Sequence, residues 1–294
     1  MLPQKPERYM TFKKKKIGLI IGSGELATHC MKKLEILGHE AVILRLPCSQ
    51  IKIRRDIKHI DIEYEKIGEA LSYLKQNSIS DIALVGYLER PVIDVLNASQ
   101  ESQRILSKVV STLKEGDGAI FAAVKKMLID ENFNIVKVQD LLPALTLPPG
   151  MFGSSFEEII KTHEIERGIS IFLDYAKLDV GQSLVFQGGH CLGMETITGT
   201  DEMIKAVINY RKSNYGKSLS GGILIKGSKP KQVLDIDTPV IGPNTIKLAH
   251  KAKLTGLVIE SNKVILVNKD LIIALLECYN MFLFSANFFK KNVQ

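Results

Sequence analysis

The segment Ile17-Gly-Leu-Ile-Ile-Gly-Ser-Gly24 constrains the fold more than any other stretch of the chain. Its apolar run is short and ends in glycines, which suits a buried strand. The next residues, Glu25 to Leu37, space Leu26, Cys30, Leu34 and Leu37 on one helical face. A buried strand that turns through glycine into a helix is the opening of a parallel βαβ unit, and the same alternation recurs. Gly38 ends the helix and Ala41 to Leu46 reads as a strand. Ile67 to Gln76 carries Ile67, Leu71 and Leu74 in helical phase, and Asp81-Ile-Ala-Leu-Val-Gly86 is again an apolar strand. Gly116-Asp-Gly118 starts a helix bearing Ile120, Val124 and Met127, and Phe133 to Val138 is predicted as a strand. The pattern predicts a Rossmann-like open parallel sheet.

This periodicity stops at Leu145-Thr-Leu-Pro-Pro-Gly-Met-Phe-Gly-Ser-Ser155, where Pro, Gly and Ser replace it as a linker would. Beyond it, Phe156 to Leu178 reads as two short helices, and Ser183 to Phe186 with Cys191 to Met194 as a hairpin around Gly188-Gly189. Further strands are expected at Gly221 to Ile225, Gly256 to Glu260 and Val264 to Val267, with a helix at Thr245 to Lys253. The expected architecture is α/β: an N-terminal Rossmann-like parallel-sheet domain (14–146), a linker (147–155) and a C-terminal mixed α/β domain (156–290). A length of 294 residues accommodates two cores.

Lys and Arg exceed Asp and Glu by 39 to 32, an excess that attracts anions. No dense basic stripe with interleaved aromatics is present, so nucleic acid is not the expected partner. The four cysteines, Cys30, Cys48, Cys191 and Cys278, show neither C-x-x-C pairing nor zinc-ligand spacing, which fits a reducing compartment. The apolar run from Ile17 to Ile21 is too short for a signal peptide or a spanning helix, so a cytoplasmic protein is expected. Leu271 to Phe289 is apolar but interrupted by Glu277, Asn280 and Asn287, as a core helix followed by a strand would be; peripheral contact with a membrane surface through this stretch or the basic residues stays open.

The Gly22-Ser23-Gly24 turn, with Glu25 after it, sits where a phosphate cradle would lie, although a plain strand-to-helix turn explains it equally well. The second half places acids among glycines: Asp179-Val-Gly181-Gln182, Glu195, Gly199-Thr200-Asp201 and Asp237-Thr-Pro-Val-Ile-Gly-Pro243. Splitting a phosphoanhydride requires charge neutralisation and an activated water, and hard cations are held by one or two carboxylates plus phosphate oxygens. Asp179, Asp201, Glu195 and Asp237 are candidate ligands for Mg²⁺ or Mn²⁺. Lys226 and Lys229 are candidate phosphate binders. Each has a structural alternative: Asp201 as a helix cap, Asp237 in an Asx turn, the lysines as solvated surface. The histidines form no triad or metal pattern. No G-x-S-x-G, H-E-x-x-H or P-loop occurs.

Six blocks, Ile17 to Leu26, Gly86-Tyr-Leu-Glu-Arg-Pro91, Gly116-Asp117, Asp179 to Gln182, Gly199 to Ile204 and Asp237 to Pro243, follow the order and spacing of the LpxI family of UDP-2,3-diacylglucosamine pyrophosphatases. The chain resembles that family over nearly its whole length. The resemblance implies hydrolysis of UDP-2,3-diacylglucosamine to 2,3-diacylglucosamine 1-phosphate (lipid X) and UMP with a divalent cation, during lipid A synthesis at the cytoplasmic side of the inner membrane. It implies that Asp237 is the catalytic residue, as metal ligand or water-orienting group. It also implies that the acylated sugar lies between two α/β domains, with Gly22, Ser23, Gly24, Glu25, Gly86, Gly181, Gln182, Thr200, Lys226 and Lys229 as candidate substrate contacts. No oligomeric state is assigned.

The chain departs from the family's K-P-x-Q-D-x-R-x-D pattern, reading Lys229-Pro-Lys-Gln-Val-Leu-Asp-Ile-Asp237. An acid and a base are replaced by Val233 and Leu234 or displaced. Asp235 and Lys231 are expected to compensate in part, two residues along a strand. Tyr87 and Thr198 stand where the family has a lysine and an acid. Two alternatives remain: a nicotinamide- or nucleotide-binding Rossmann enzyme, against which the missing third glycine counts, and a weakened homologue that binds an acylated nucleotide sugar without turnover.

Overall fold

The computed structural model describes residues 14–87, 92–114, 117–154, 163–214, 220–230, 232 and 234–289. Its first five strands are β1 (Lys16–Ile21), β2 (Glu40–Arg45), β3 (His59–Asp61), β4 (Asp81–Val85) and β5 (Asn134–Ile135). They form one sheet in the order β3-β2-β1-β4-β5, parallel throughout. The strand order therefore reverses between β1 and β4, the switch point at which open α/β sheets bind ligands. Helix α1 (Glu25–Ile36) buries Leu26, Ala27, Cys30 and Leu34 on one face of the sheet. Leu37, expected on that stripe, closes the helix instead and is exposed. On the other face lie α2 (Ile67–Gln76), α3 (Gln100–Val110) and α4 (Asp117–Asp130). The strand expected over Phe133 to Val138 is only the two residues of β5, because Val138–Leu141 turns into a short helix, α5.

A second, six-stranded sheet runs β6-β13-β11-β9-β7-β8. Its members are β6 (Gly150–Gly153), β7 (Ser183–Gln187), β8 (His190–Met194), β9 (Ile223–Lys226), β11 (Gly256–Glu260) and β13 (Phe282–Ala286). The stretch expected as a linker thus contributes an edge strand, with β6 antiparallel to β13. The pair β7 and β8 is the expected hairpin. Only one helix, α6 (His163–Ala176), is described where two short ones were expected; residues 155–162 lie outside the described residues. Helices α7 (Thr200–Asn214), α8 (Pro243–Lys251) and α9 (Lys269–Cys278) complete this half. Its cores occupy both sheet faces, one around Leu224, Leu257 and Leu283, the other around Phe172, Phe186 and Phe282. At the end of the chain, α9 followed by β13 is the helix and strand read from the apolar C-terminus.

The two halves share buried contacts. A small parallel pair separate from both large sheets, β10 (Val240–Ile241) with β12 (Ile265–Leu266), comes from the second half, and Ile265, Val267 and Val240 pack on the α1 face of the first sheet. Ile236 enters the core under α2, α3 and α4. Among the described residues, no helix is long and apolar enough to cross a membrane.

Candidate active site

One cavity of about 670 Å³ runs from inside the first domain to loops of the second. Its inner part is lined by Ile20, Ile62, Ile67, Leu84, Leu106, Val109, Met127 and Leu128. All eight belong to the core between the first sheet and α2, α3 and α4. That core is hollow rather than close-packed, an unusual state for a protein interior and one suited to an apolar ligand. Phe121 and Val124 of α4 widen the same wall.

At the switch point, Ser23 and Tyr87 exchange backbone hydrogen bonds of 2.9 and 2.8 Å, which ties the glycine turn after β1 to the end of β4. Gly86 is required there: it has φ of +95°, and a Cβ would lie 2.6 Å from the Ser23 carbonyl oxygen. The amide of Gly22 donates to the Val85 carbonyl, and Gly22 does not line the cavity. The Gly22 and Ser23 amides are therefore committed to Val85 at the end of β4 and to Tyr87 just beyond it, and neither supplies the donor expected of a phosphate cradle. Ser23, Gly24, Glu25 and Gly86 do line the cavity.

The polar end comes from the second domain. Lys226, the last residue of β9, is buried, and its ammonium donates to Thr200 Oγ1 at 2.6 Å with Glu195 3.9 Å away. Thr200 does not itself line the cavity; it donates to Glu195 at 2.8 Å, and so holds the lysine and the acid together. Ser183 also donates to Glu195 Oε2, and the Tyr175 hydroxyl donates to the Glu195 carbonyl. Burial, and then the Glu195 charge, push the Tyr175 phenol up to about 12, so it is a fixed donor at neutral pH. Gly181 packs on this junction, where a Cβ would strike the Tyr175 hydroxyl and the Glu195 backbone.

Lys229 is paired with Asp179 at 2.6 Å and lines the cavity, whereas Asp179 does not. Asp237 accepts 2.8 Å from the Gln232 amide, which also donates to Gln182 at 3.1 Å. Asp201 receives Asn244 and Thr245 at 2.6 and 2.8 Å, tying α7 to the start of α8 in place of the helix cap considered from sequence. Glu195, Asp201 and Asp237 line the cavity with Gly181, Gln182, Lys226 and Lys229.

The four acids named as metal ligands are not gathered into one cage. Each is engaged by separate neighbours, and among the described residues no group of three His, Cys, Asp or Glu side chains is placed to hold an ion. A hard cation that keeps its waters and binds phosphate needs only one or two protein carboxylates. Asp237, on the cavity wall, fits that smaller role.

Sequence reading missed Gln232, which bridges Gln182 and Asp237, and the apolar wall of α4. The expected compensation by Asp235 is not what the structure shows. Residues 234–236 form a turn rather than a strand, and Asp235 pairs with Lys125 and with Lys137 at 3.4 Å, outside the cavity lining. Lys231, Val233, Gly116 and residues 88–91 lie outside the described residues.

Comparison with known proteins gives one consistent family. The LpxI N-terminal domain matches residues 16–145 and the LpxI C-terminal domain residues 148–284. The chain is 26% identical over 273 residues to UDP-2,3-diacylglucosamine pyrophosphatase LpxI of Caulobacter vibrioides, covering 91% of this chain and 96% of that protein. Among solved structures, the Bordetella bronchiseptica enzyme WbmH in complex with NAD⁺ is 12% identical, overlaps 38% of this chain and 36% of its own, and has a TM-score of 0.23. That overlap is too low to argue from.

Proposed function

The chain belongs to the LpxI family, and from that premise we propose that it hydrolyses the pyrophosphate of UDP-2,3-diacylglucosamine to 2,3-diacylglucosamine 1-phosphate and UMP. The observation that carries the proposal is the continuity of the cavity, from a hollow apolar core to a wall bearing Asp237, Lys226, Lys229 and Gln182. Acyl chains occupy the hollow core, and their burial there supplies binding free energy of about 0.8 kcal/mol per methylene. The pyrophosphate then lies at the polar end. Lys229 exchanges Asp179 for phosphate oxygens, and Lys226, positioned by Thr200, adds a second cation. Asp237, oriented by Gln232, directs the attacking water. A bound Mg²⁺ or Mn²⁺, held by Asp237 and the phosphates, would supply neutralisation of charge developing on the phosphoryl oxygens.

We place the protein in the cytoplasm with peripheral contact at the inner membrane. Tyr87, Val180 and Ile197 support this reading, since they line the cavity yet are 66%, 49% and 93% exposed, and so form an apolar rim at its mouth. Mass spectrometry of ligand extracted from the purified protein, alongside UMP release with and without EDTA, tests the assignment. An acylated glucosamine 1-phosphate in the extract and EDTA-sensitive UMP release are expected. Tight NADH binding without UMP release would replace it with the nicotinamide reading, and copurified lipid without turnover would leave only binding.

A further inference from the structure

Asp237 sits on a segment that belongs by sequence to the second domain but is fastened to the first on both sides of it. Immediately before it, Asp235 pairs with Lys125 of α4 and, at 3.4 Å, with Lys137 beside β5. Ile236 is 7% exposed within the first domain's core. Immediately after, Thr238 accepts from Gln139 of α5 at 3.1 Å and donates to the Leu234 carbonyl at 3.1 Å. Among the described residues the segment carries no strand before Val240; the Leu234 amide donates to the Gln232 carbonyl and the Pro239 carbonyl accepts from Ile265, and between them these side-chain ties hold the backbone.

We infer that Asp235 is a positioning residue, whose ion pairs with Lys125 and Lys137 fix the turn at 234–236 on the first domain and thereby place the Asp237 carboxylate at the junction of the apolar and polar parts of the cavity. Three features support this. The Asp235 side chain is only 20% exposed, so its pairing is screened less than a surface bridge. Neither lysine lines the cavity, so their task is not substrate binding. The ties cross between domains in a segment where Gln232 restrains Asp237 from the opposite side.

This role rests on the proposed hydrolysis for its kinetic consequence, and the test separates the two. Amide hydrogen exchange of residues 234–238 and steady-state UMP release are measured for the full-length wild type, Asp235→Asn, Lys125→Met, their double variant and Asp235→Glu. Asp235→Asn is expected to speed exchange at 234–238 about tenfold without changing β1 or β11. It should lower kcat about tenfold with KM nearly unchanged, since displacement of a reacting group acts on the chemical step. The double variant should be no worse than Asp235→Asn, as expected of two partners in one tie, and Asp235→Glu should retain both properties. Unchanged exchange in Asp235→Asn, or faster exchange with unchanged kcat, would overturn the inference. If Asp235→Asn loses protection in both sheets, Asp235→Glu decides: its failure to retain local protection rejects the role. Absence of UMP release from the wild type would reject the hydrolase reading alone, leaving the exchange result to judge the tie.

Discussion

The two ends of the cavity are built from different halves of the chain and by opposite means. The inner end is a space left within a hydrophobic core, bounded by residues such as Leu84, Leu106 and Val124 whose neighbours hold the domain together. The outer end is built from strand and helix ends and the turns beside them, and there nearly every charge already has a protein partner: Lys229 with Asp179, Lys226 with Thr200, Asp201 with Asn244 and Thr245. An apolar chamber can stand empty because its walls require no partners. Buried charges cannot, since unpaired ions in a low-dielectric site carry a large desolvation penalty. The inner end is therefore suited to affinity for lipid, and the outer end to exchanging internal partners for phosphate.

Three substitutions bear on this division. Asp237→Ala should reduce UMP release by roughly 10³-fold or more while leaving the thermal transition in place, as loss of a group acting on the reacting phosphoryl demands. An active variant would remove Asp237 from its role. Next in size, Val124→Trp should narrow the inner end and lower kcat/KM for long-chain substrate by roughly 10²-fold, with kcat/KM for a substrate lacking long acyl chains unchanged. Undiminished kcat/KM would show that chains lie elsewhere. Lys229→Ala should raise KM about tenfold through loss of one charge-assisted phosphate contact, read from steady-state kinetics; an unchanged KM would place the phosphates away from Lys229.

The smallest effect tests a part of the first domain remote from the chemistry. Glu131 is buried, with Lys75 at 3.2 Å and Arg104 at 2.6 Å. Burial alone would raise its carboxyl, but the Arg104 and Lys75 interactions outweigh this and hold it below the ordinary range. A carboxyl with a depressed folded pKa stabilises above its unfolded value, about 4.3, and loses that contribution as pH falls through the folded value. Glu131→Gln should cost about 1 kcal/mol at neutral pH, the wild-type advantage shrinking as pH falls below the unfolded carboxyl value and disappearing once it passes the lowered folded one, with UMP release unchanged. Denaturant titrations of the two proteins at neutral pH and at a series of acidic pH values measure it.

Much of the frame was legible because its signals are local. Ile17 to Gly24, Ile67 to Gln76 and the glycine hairpin at 188–189 carry their periods and turn residues in consecutive positions. Edge strand β6 was hidden because Pro148 and Pro149 and two glycines read as a linker, while its pairing partner β13 lies about 130 residues away. In the site, Asp237, Glu195, Asp201, Lys226 and Lys229 were visible as charges among glycines. Their partners were not, since Gln232–Gln182, Lys125–Asp235 and Gln139–Thr238 are joined only by the fold. The hollow core was invisible for a related reason: Ile120, Val124 and Met127 have the same spacing whether they fill a core or wall a chamber.

The most direct test of the account compares UMP release by the wild-type protein from UDP-2,3-diacylglucosamine and from UDP-N-acetylglucosamine, which carries the same pyrophosphate without long acyl chains. Filling the inner end and hydrolysing at the outer end predict rapid release from the acylated substrate and at least a roughly 10²-fold lower kcat/KM for the other. Equal kcat/KM for the two, or no release from either, would contradict it.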